Sequence, residues 1–189
     1  MSTLRTNAIQ TTAGKPILNS TGSILQVIYA SFGNGWSGTS VSTGTGYFVD
    51  VGGFNAVITP SSSSSRIMVL TNLYIGKTTT SGGYQQAFRI TRNGTPVQQG
   101  GGDGGRPTAT GGINMYQSPD NGTTYQMYQL SGVHIDSPSS TSALTYQVQL
   151  GGYSGSPVVY LNRAENWQNS GGNYNNVPLS TLTLLEVSS

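Results

Sequence analysis

Residues 56–75, which read AVITPSSSSSRIMVLTNLYI, constrain the fold more than any other stretch of the chain. Two apolar runs flank a proline and a run of serines. In the second run, aliphatic or β-branched residues hold every odd position from Ile67 to Ile75. Because side chains alternate between the two faces of a strand, this run is predicted to be one β-strand about 30 Å long, with its odd-numbered face in a core.

The even-numbered face of the same strand is also mostly apolar, since it carries Met68, Leu70 and Tyr74 beside Asn72. The solvent side of an antiparallel sheet is usually polar, so something is expected to cover this face. Either a second layer of the same domain or a neighbouring subunit would do so, and the sequence leaves both open. In the second case, Met68, Leu70 and Tyr74 are the predicted subunit contacts.

The composition is typical of a chain built from strands and polar loops. Charged residues make up 7% of the 189 residues, and 27 residues are glycine. An average globular domain has about 25% charged residues. The low charge argues against a disordered, self-repelling chain and against long surface helices, which usually draw on Glu, Lys and Arg. A net charge of +2 without a basic cluster predicts that the protein does not bind nucleic acid.

The sequence shows no sign of membrane insertion or of the usual export signal. No apolar run reaches the length of about 18 residues that would indicate a membrane-spanning helix. The first ten residues, MSTLRTNAIQ, lack the apolar centre of a secretory signal. Cysteine is absent from the sequence, which excludes disulfides and thiolate metal sites within it.

Turn signals divide the remainder of the chain into about nine or ten strand-like segments, with no convincing helix. A strand over 24–32 is predicted to be buried on both sides, and a strand over 143–150 alternates cleanly. Strands at this spacing predict an all-β fold, an antiparallel β-sandwich or barrel. Of these architectures a jelly roll fits best.

Two pairs of turn residues predict local hairpins. Gly52-Gly53 is predicted to join short strands over 47–51 and 54–59. Asn93-Gly94 is predicted to form a tight turn between two further strands, because both residue types tolerate a positive φ.

The first 23 residues differ in pattern from the rest of the chain. They are polar, with isolated apolar residues and neither helical nor strict strand periodicity. We interpret residues 1–23 as an extended arm and residues 24–189 as the sandwich domain. The arm is either a disordered tail or a segment that docks on another protein through Ile9, Ile17 and Leu18.

The sequence offers little material for catalysis. Its one histidine, His134, is expected on the outward side of a strand over 124–135, while Val133 and Ile135 are expected inside. No motif pairs the six carboxylates as in a glycosidase, and no calcium or phosphate loop is present. We therefore expect no enzyme activity, no metal and no cofactor. Two carboxylates that met in one groove would favour a hydrolase acting on surface polysaccharide, and their dispersal would remove that hypothesis.

Aromatic and basic residues in the polar loops are the candidate ligand contacts. Trp36 is placed in a loop over 33–46, Arg106 in a glycine-rich loop, and Trp167 and Tyr174 in a late polar loop. Exposed aromatic rings beside amides and hydroxyls can stack on sugars or fill protein hot spots. The alternative is that these rings pack beneath their own loops.

Several segments resemble structural proteins of tailed bacteriophages, notably marine and cyanobacterial ones. The arm STLRTNAIQTTAGKPILNSTGSILQV is similar to the N-terminal segment of such proteins. The segments ITPSSSSSRIMVL, DSPSSTSALTYQVQL and VVYLNRAENW…STLTLLEV are similar to the β-sandwich domain of tail-fibre-like and other virion proteins. Together, and in this order, the segments cover most of the chain.

The resemblance implies a trimeric jelly roll, comparable to the tumour-necrosis-factor-like fold, displayed on a virion. On that basis we expect a non-enzymatic virion structural protein, of the fibre or head-decoration type. Its expected partners are two further copies, and capsid or tail proteins bound through the arm. The alternative is the receptor- or glycan-binding tip of a tail fibre, with a host surface glycan or receptor as partner.

Overall fold

Every regular element in the described part of the chain is a β-strand. The structure is a computed structural model, and it describes residues 21–40, 47–76, 85–102, 108–114, 125–152, 158–166 and 176–189. Within those ranges the strands are, in order, β1 (Ile24–Phe32), β2 (Trp36–Thr39), β3 (Phe48–Ile58), β4 (Arg66–Gly76), β5 (Gln85–Arg92), β6 (Thr95–Val97), β7 (Gly111–Asn114), β8 (Met127–Asp136), β9 (Leu144–Gly152), β10 (Val158–Leu161) and β11 (Ser180–Val187).

The strands form two antiparallel sheets, and the long strand β4 is the centre of the larger one. In this six-stranded sheet β8 pairs along almost the whole of β4 on one side. On the other side β11 pairs with the first part of β4, and β10 pairs with its end. Beyond these, β1 pairs with β11 and β2 pairs with β10. The five-stranded sheet has the order β3-β9-β5-β6, with β7 also paired to β5.

Both sheets turn one face towards a shared hydrophobic core. From β4 the core receives the aliphatic residues of the odd-numbered face, and from β9 it receives Leu144, Tyr146, Val148 and Leu150. The alternation predicted for these two strands is therefore confirmed, as is the all-β antiparallel class. Two sheets that share one core are consistent with a β-sandwich.

The hairpin predicted at Gly52-Gly53 is wrong, because both glycines lie inside the single strand β3. The register with β9 is interrupted around them, so that extra residues of β3 form a bulge. Val51 and Phe54 both turn into the core, while the two glycines stay exposed. Gly53 has a φ of 80°, a conformation that glycine adopts without strain.

The turn predicted at Asn93-Gly94 is confirmed. It joins β5 to β6, and the two residues have φ of 49° and 79°. The side chain of Asn93 adds a second role, because its Oδ1 accepts a hydrogen bond of 2.9 Å from the backbone N–H of Thr145. The turn is thereby attached to the neighbouring strand β9.

Strands β1 and β8 are buried differently from their predictions. β1 has the predicted bounds, but one side is half-buried and the other is exposed. In β8 the predicted orientation is reversed, since Val133 and Ile135 face outward and His134 lies inward. The cause is Asp136, whose Oδ2 forms an ion pair of 2.6 Å with Nη1 of Arg92 from the other sheet. Strand alternation then places His134 on the same inward side.

Candidate functional site

Four adjacent strands of the larger sheet, β1, β11, β4 and β8, align their outward side chains in rows that cross the sheet. The register of the three strand pairs fixes these rows. The first row is wholly apolar: Val27, Leu185, Met68 and Ile135. The second is mostly apolar: Tyr29, Thr183, Leu70 and Val133. The third is polar: Ser31, Thr181, Asn72 and Ser131. We call these three rows together the outer face.

The apolar part of the outer face is open to solvent, above all at its two edges. Val133 is 63% exposed, Tyr29 60%, Val27 55% and Ile135 42%. The central residues of the same rows, Met68, Leu70 and Leu185, are half-buried because strands flank them on both sides. Large apolar side chains at this exposure, collected on one sheet face, make that face the candidate interaction surface of the described residues.

The size of the two apolar rows fits the centre of a protein–protein interface. Four strands at about 4.8 Å and two rows about 7 Å apart cover roughly 250 Å² of sheet. A standard interface removes about 800 Å² from each partner and has an apolar centre inside a polar rim. The third row and the ends of the four strands would supply such a rim.

The third row is an ordered polar border. Oδ1 of Asn72 accepts a hydrogen bond of 2.7 Å from Nε2 of Gln129 and one of 3.0 Å from Oγ of Ser131. A shallow depression lies over this border and reaches Leu70 and Val133 in the second row. The polarity of the outer face therefore changes along the strands: the face is apolar near the start of β1 and polar near the end of β1.

All three predicted subunit contacts lie on the outward side of β4. Met68 and Leu70 occupy the two apolar rows, and Tyr74 lies beyond the polar row, level with Gln129. All three are half-buried. The structure thus collects them on one surface, and no subunit tests whether they form a contact, so the contact stays a prediction.

Sequence reasoning missed the most exposed apolar residues of this surface, which lie on β1 and β8. The alternation of Val27 with Ile28 and of Val133 with His134 gives two possible orientations for each strand. Asp136 argued for the wrong orientation of β8, because a carboxylate is costly to bury without a cationic partner. The partner, Arg92, lies on another strand and cannot be identified from local pattern.

Trp36, predicted to lie in a ligand-contact loop, belongs instead to strand β2. Its ring is half-buried and packs against the hydrophobic core. It also lies over Gly38, where an added Cβ would come within 2.4 Å of the ring. This position favours the alternative, in which the ring packs internally instead of contacting a ligand.

The remaining predicted site residues lie outside the described ranges. They are the candidate ligand contacts Arg106, Trp167 and Tyr174, and the candidate docking residues Ile9, Ile17 and Leu18.

Three polar side chains meet in the interior between the two sheets. Oδ2 of Asp136 accepts hydrogen bonds of 2.6 Å from Nη1 of Arg92 and from Oη of Tyr146. Burial raises the pKa of Tyr146, and the neighbouring carboxylate raises it further, so the phenol stays protonated. The cluster connects β8 to β5 and β9 and satisfies a buried charge, which is a structural use of these groups.

His134 does not join this cluster. Its ring packs edge-on against Phe88, with 6.4 Å between the ring centroids, and its Nε2 is buried without a hydrogen-bond partner. Burial lowers the pKa of His134, which favours the neutral imidazole. A general base needs an accessible substrate and is commonly oriented by a further polar group, and the contacts of this ring provide neither.

A second buried carboxylate, Glu186 of β11, holds residues 59–65, which we call the serine loop, against the sheet. Its Oε1 accepts hydrogen bonds from the backbone N–H (2.7 Å) and the hydroxyl (2.6 Å) of Ser61, and its Oε2 accepts one of 2.6 Å from Nε2 of Gln26. Burial would raise the pKa of Glu186, but these hydrogen bonds outweigh it and lower the pKa to about 2. The loop joins β3 to β4, which lie in different sheets, so Glu186 fastens a connection between them.

The described residues hold no group of three or more His, Asp or Glu side chains placed to bind a metal ion. Among those residues there is also no helix long and apolar enough to cross a membrane. No protein-family model matches the chain, and no curated protein is significantly similar to it. The features that point to a function are therefore the outer face and the resemblance of the sequence segments.

Proposed function

We propose that the protein is a non-enzymatic structural protein of a tailed-bacteriophage virion, a homotrimeric appendage displayed on the particle surface. The observation that supports this most is the outer face, where two apolar rows remain exposed in the single chain. Exposing so many apolar side chains on one sheet face costs solubility unless another chain covers them. The virion and the trimer come from the sequence resemblance.

The ionisable side chains between and beside the two sheets support a structural role. Arg92, Asp136 and Tyr146 connect the two sheets, and Glu186 fastens a loop between the sheets. Each of these side chains is occupied by partners from distant parts of the chain. These side chains stabilise the fold, and the proposed binding uses other residues, on the surface.

We further propose that the two sheets form a jelly roll of the tumour-necrosis-factor-like kind. Most neighbours within the sheets are distant along the chain, as in β1 with β11 and β3 with β9. Long connections between neighbouring antiparallel strands are a feature of Greek-key and jelly-roll folds.

Docking on the capsid or tail is assigned to residues 1–23, with Ile9, Ile17 and Leu18 as anchors. At the end of this segment the backbone N–H of Gly22 donates a hydrogen bond of 2.8 Å to the carbonyl of Ser188. In return the N–H of Ser188 donates one of 2.9 Å to the carbonyl of Ser23. These bonds attach the base of the arm to the end of β11. A force applied to the arm would therefore be transmitted to the sheet.

Two measurements test the proposal. Light scattering at micromolar concentration should give the mass of a trimer for the full chain. Removal of residues 1–20, which leaves the bonds of Gly22 and Ser23 intact, should give a trimer that no longer joins virus particles. A monomeric full chain would contradict the appendage, and particles that still incorporate the shortened chain would contradict the docking arm.

A further inference from the structure

Each edge strand of the outer face carries an exposed apolar patch, and Leu185 and Met68 join the two patches across the sheet. The β1 patch consists of Val27 and Tyr29, and the β8 patch consists of Ile135 and Val133. Within the described residues, β1 pairs only with β11 and β8 only with β4, so each strand has one unpaired side. Neither strand carries proline or an outward-facing charge, the usual means by which natural edge strands avoid other chains.

The two patches match each other level by level. Val27 and Ile135 share the first row, Tyr29 and Val133 share the second, and Ser31 and Ser131 share the third. Because three successive antiparallel pairings separate them, β1 and β8 run in opposite directions. If copies are related by a rotation axis parallel to the strands, each row of one copy lies at the same height along that axis as the equivalent row of the next copy. Such an axis would bring β1 of one copy beside β8 of the next, with apolar rows against apolar rows and polar against polar.

We infer that the β1 patch of one copy packs against the β8 patch of a second copy, in a head-to-tail contact that closes into a ring. The inference rests on the self-association proposed above and specifies its interface. A cyclic ring larger than a dimer needs two different, complementary patches on every subunit. A two-fold dimer would instead bury each patch against its own equivalent. The matched rows on opposite edges favour the ring.

The absence of cysteine from the chain makes a direct crosslinking test practicable. Tyr29→Cys and Val133→Cys introduce one thiol on each patch. Within one copy the two positions are three strands, or about 14 Å, apart, which is too far for a disulfide. Between copies in the proposed contact, residues of adjacent strands come within about 5.5 Å, which is suitable.

Three preparations are oxidised and compared on denaturing gels. The double variant Tyr29→Cys/Val133→Cys should give crosslinked dimers and a closed trimer. A mixture of the two single variants, refolded together, should give crosslinked dimers, whereas each single variant alone should stay uncrosslinked. The control pairs Tyr29→Cys with Val57→Cys, an exposed residue of the other sheet, and should give no crosslink. Circular dichroism and thermal melting verify that each variant is folded.

Each outcome separates the ring from its alternatives. Crosslinks in Tyr29→Cys alone or Val133→Cys alone would show a two-fold contact and overturn the inference. An oligomer by light scattering with no crosslink in the double variant would overturn the inference and leave the proposed self-association intact. A monomeric wild-type chain would overturn both. If removal of residues 1–20 dissociates the oligomer, that segment holds the copies together in place of the two patches, and the inference is again wrong.

Discussion

Glu186 offers the sharpest test of how the larger sheet is held to the serine loop. The carboxylate is fully buried and accepts hydrogen bonds from Ser61 and Gln26. In Glu186→Gln one carboxylate oxygen becomes an amide that donates, so at least one of these donors loses its acceptor. The loop should loosen, and the free energy of unfolding should fall.

The size of the effect follows from the pKa. A pKa lowered from 4.5 to about 2 corresponds to a ceiling of about 3 kcal/mol in favour of the ionised folded state. Solvent screening beside a surface loop reduces this ceiling, and we expect a loss of about 1–2 kcal/mol at neutral pH. Because the folded pKa lies below the unfolded one, the stabilisation is complete above about pH 5. It disappears as the pH falls through about 2.

Urea unfolding followed by circular dichroism, at one fixed protein concentration, measures both parts of this prediction. The difference between wild type and Glu186→Gln should be largest at neutral pH and should shrink steadily below pH 5. Asp50→Asn is the control, since Asp50 is an exposed carboxylate that accepts a hydrogen bond from Gln149, and it should change stability by less than about 0.5 kcal/mol. A Glu186→Gln difference that is the same at pH 7 and pH 3 would refute the role of the carboxylate charge.

Three further predictions concern the interior. Asp136→Asn leaves Arg92 without its ion-pair partner and should lower the free energy of unfolding by about 2–3 kcal/mol; an unchanged urea midpoint would contradict this. Because burial lowers the pKa of His134, the unfolded chain binds its proton more tightly, and stability should decline as the pH falls below about 6.5. His134→Phe should remove that decline, and an identical slope in the variant would contradict the prediction. Gly76→Ala places a Cβ 1.9 Å from a backbone carbonyl oxygen and should cost about 2–3 kcal/mol, whereas Gly101→Ala, with open space around it, should cost far less; equal thermal midpoints would contradict this.

The sequence predicts where the strands of this fold lie better than it predicts which face of each strand is buried. Alternation predicts β4 and β9 with the correct inward faces. In both strands the positions that carry aliphatic residues are the ones that face the core. Alternation alone did not orient β8, where Val133 and Ile135 are more apolar than His134 and Asp136 and still lie outside. The deciding contact joins Asp136 to Arg92, 44 residues away, and no local pattern contains it.

Predicting the site was limited in the same way. The sequence places Met68 and Leu70 on the outward side of β4 because this strand is apolar on both parities. It does not place Val27 and Tyr29 on an exposed surface, because β1 is expected to be covered on both sides. At Gly52-Gly53 the local turn signal predicts a hairpin, whereas a bulge in one strand satisfies the same backbone preference.

The central claim is that copies of the chain associate through the outer face, and the mass of a single charged variant tests it most directly. Val133→Asp places a charge in the β8 patch, at a side chain that is 63% exposed in the single chain. Val57→Asp places the same charge at an exposed site on the other sheet. By light scattering, wild type and Val57→Asp should be trimers, and Val133→Asp should be a folded monomer. A Val133→Asp variant that keeps the trimer mass of the wild type would contradict the claim.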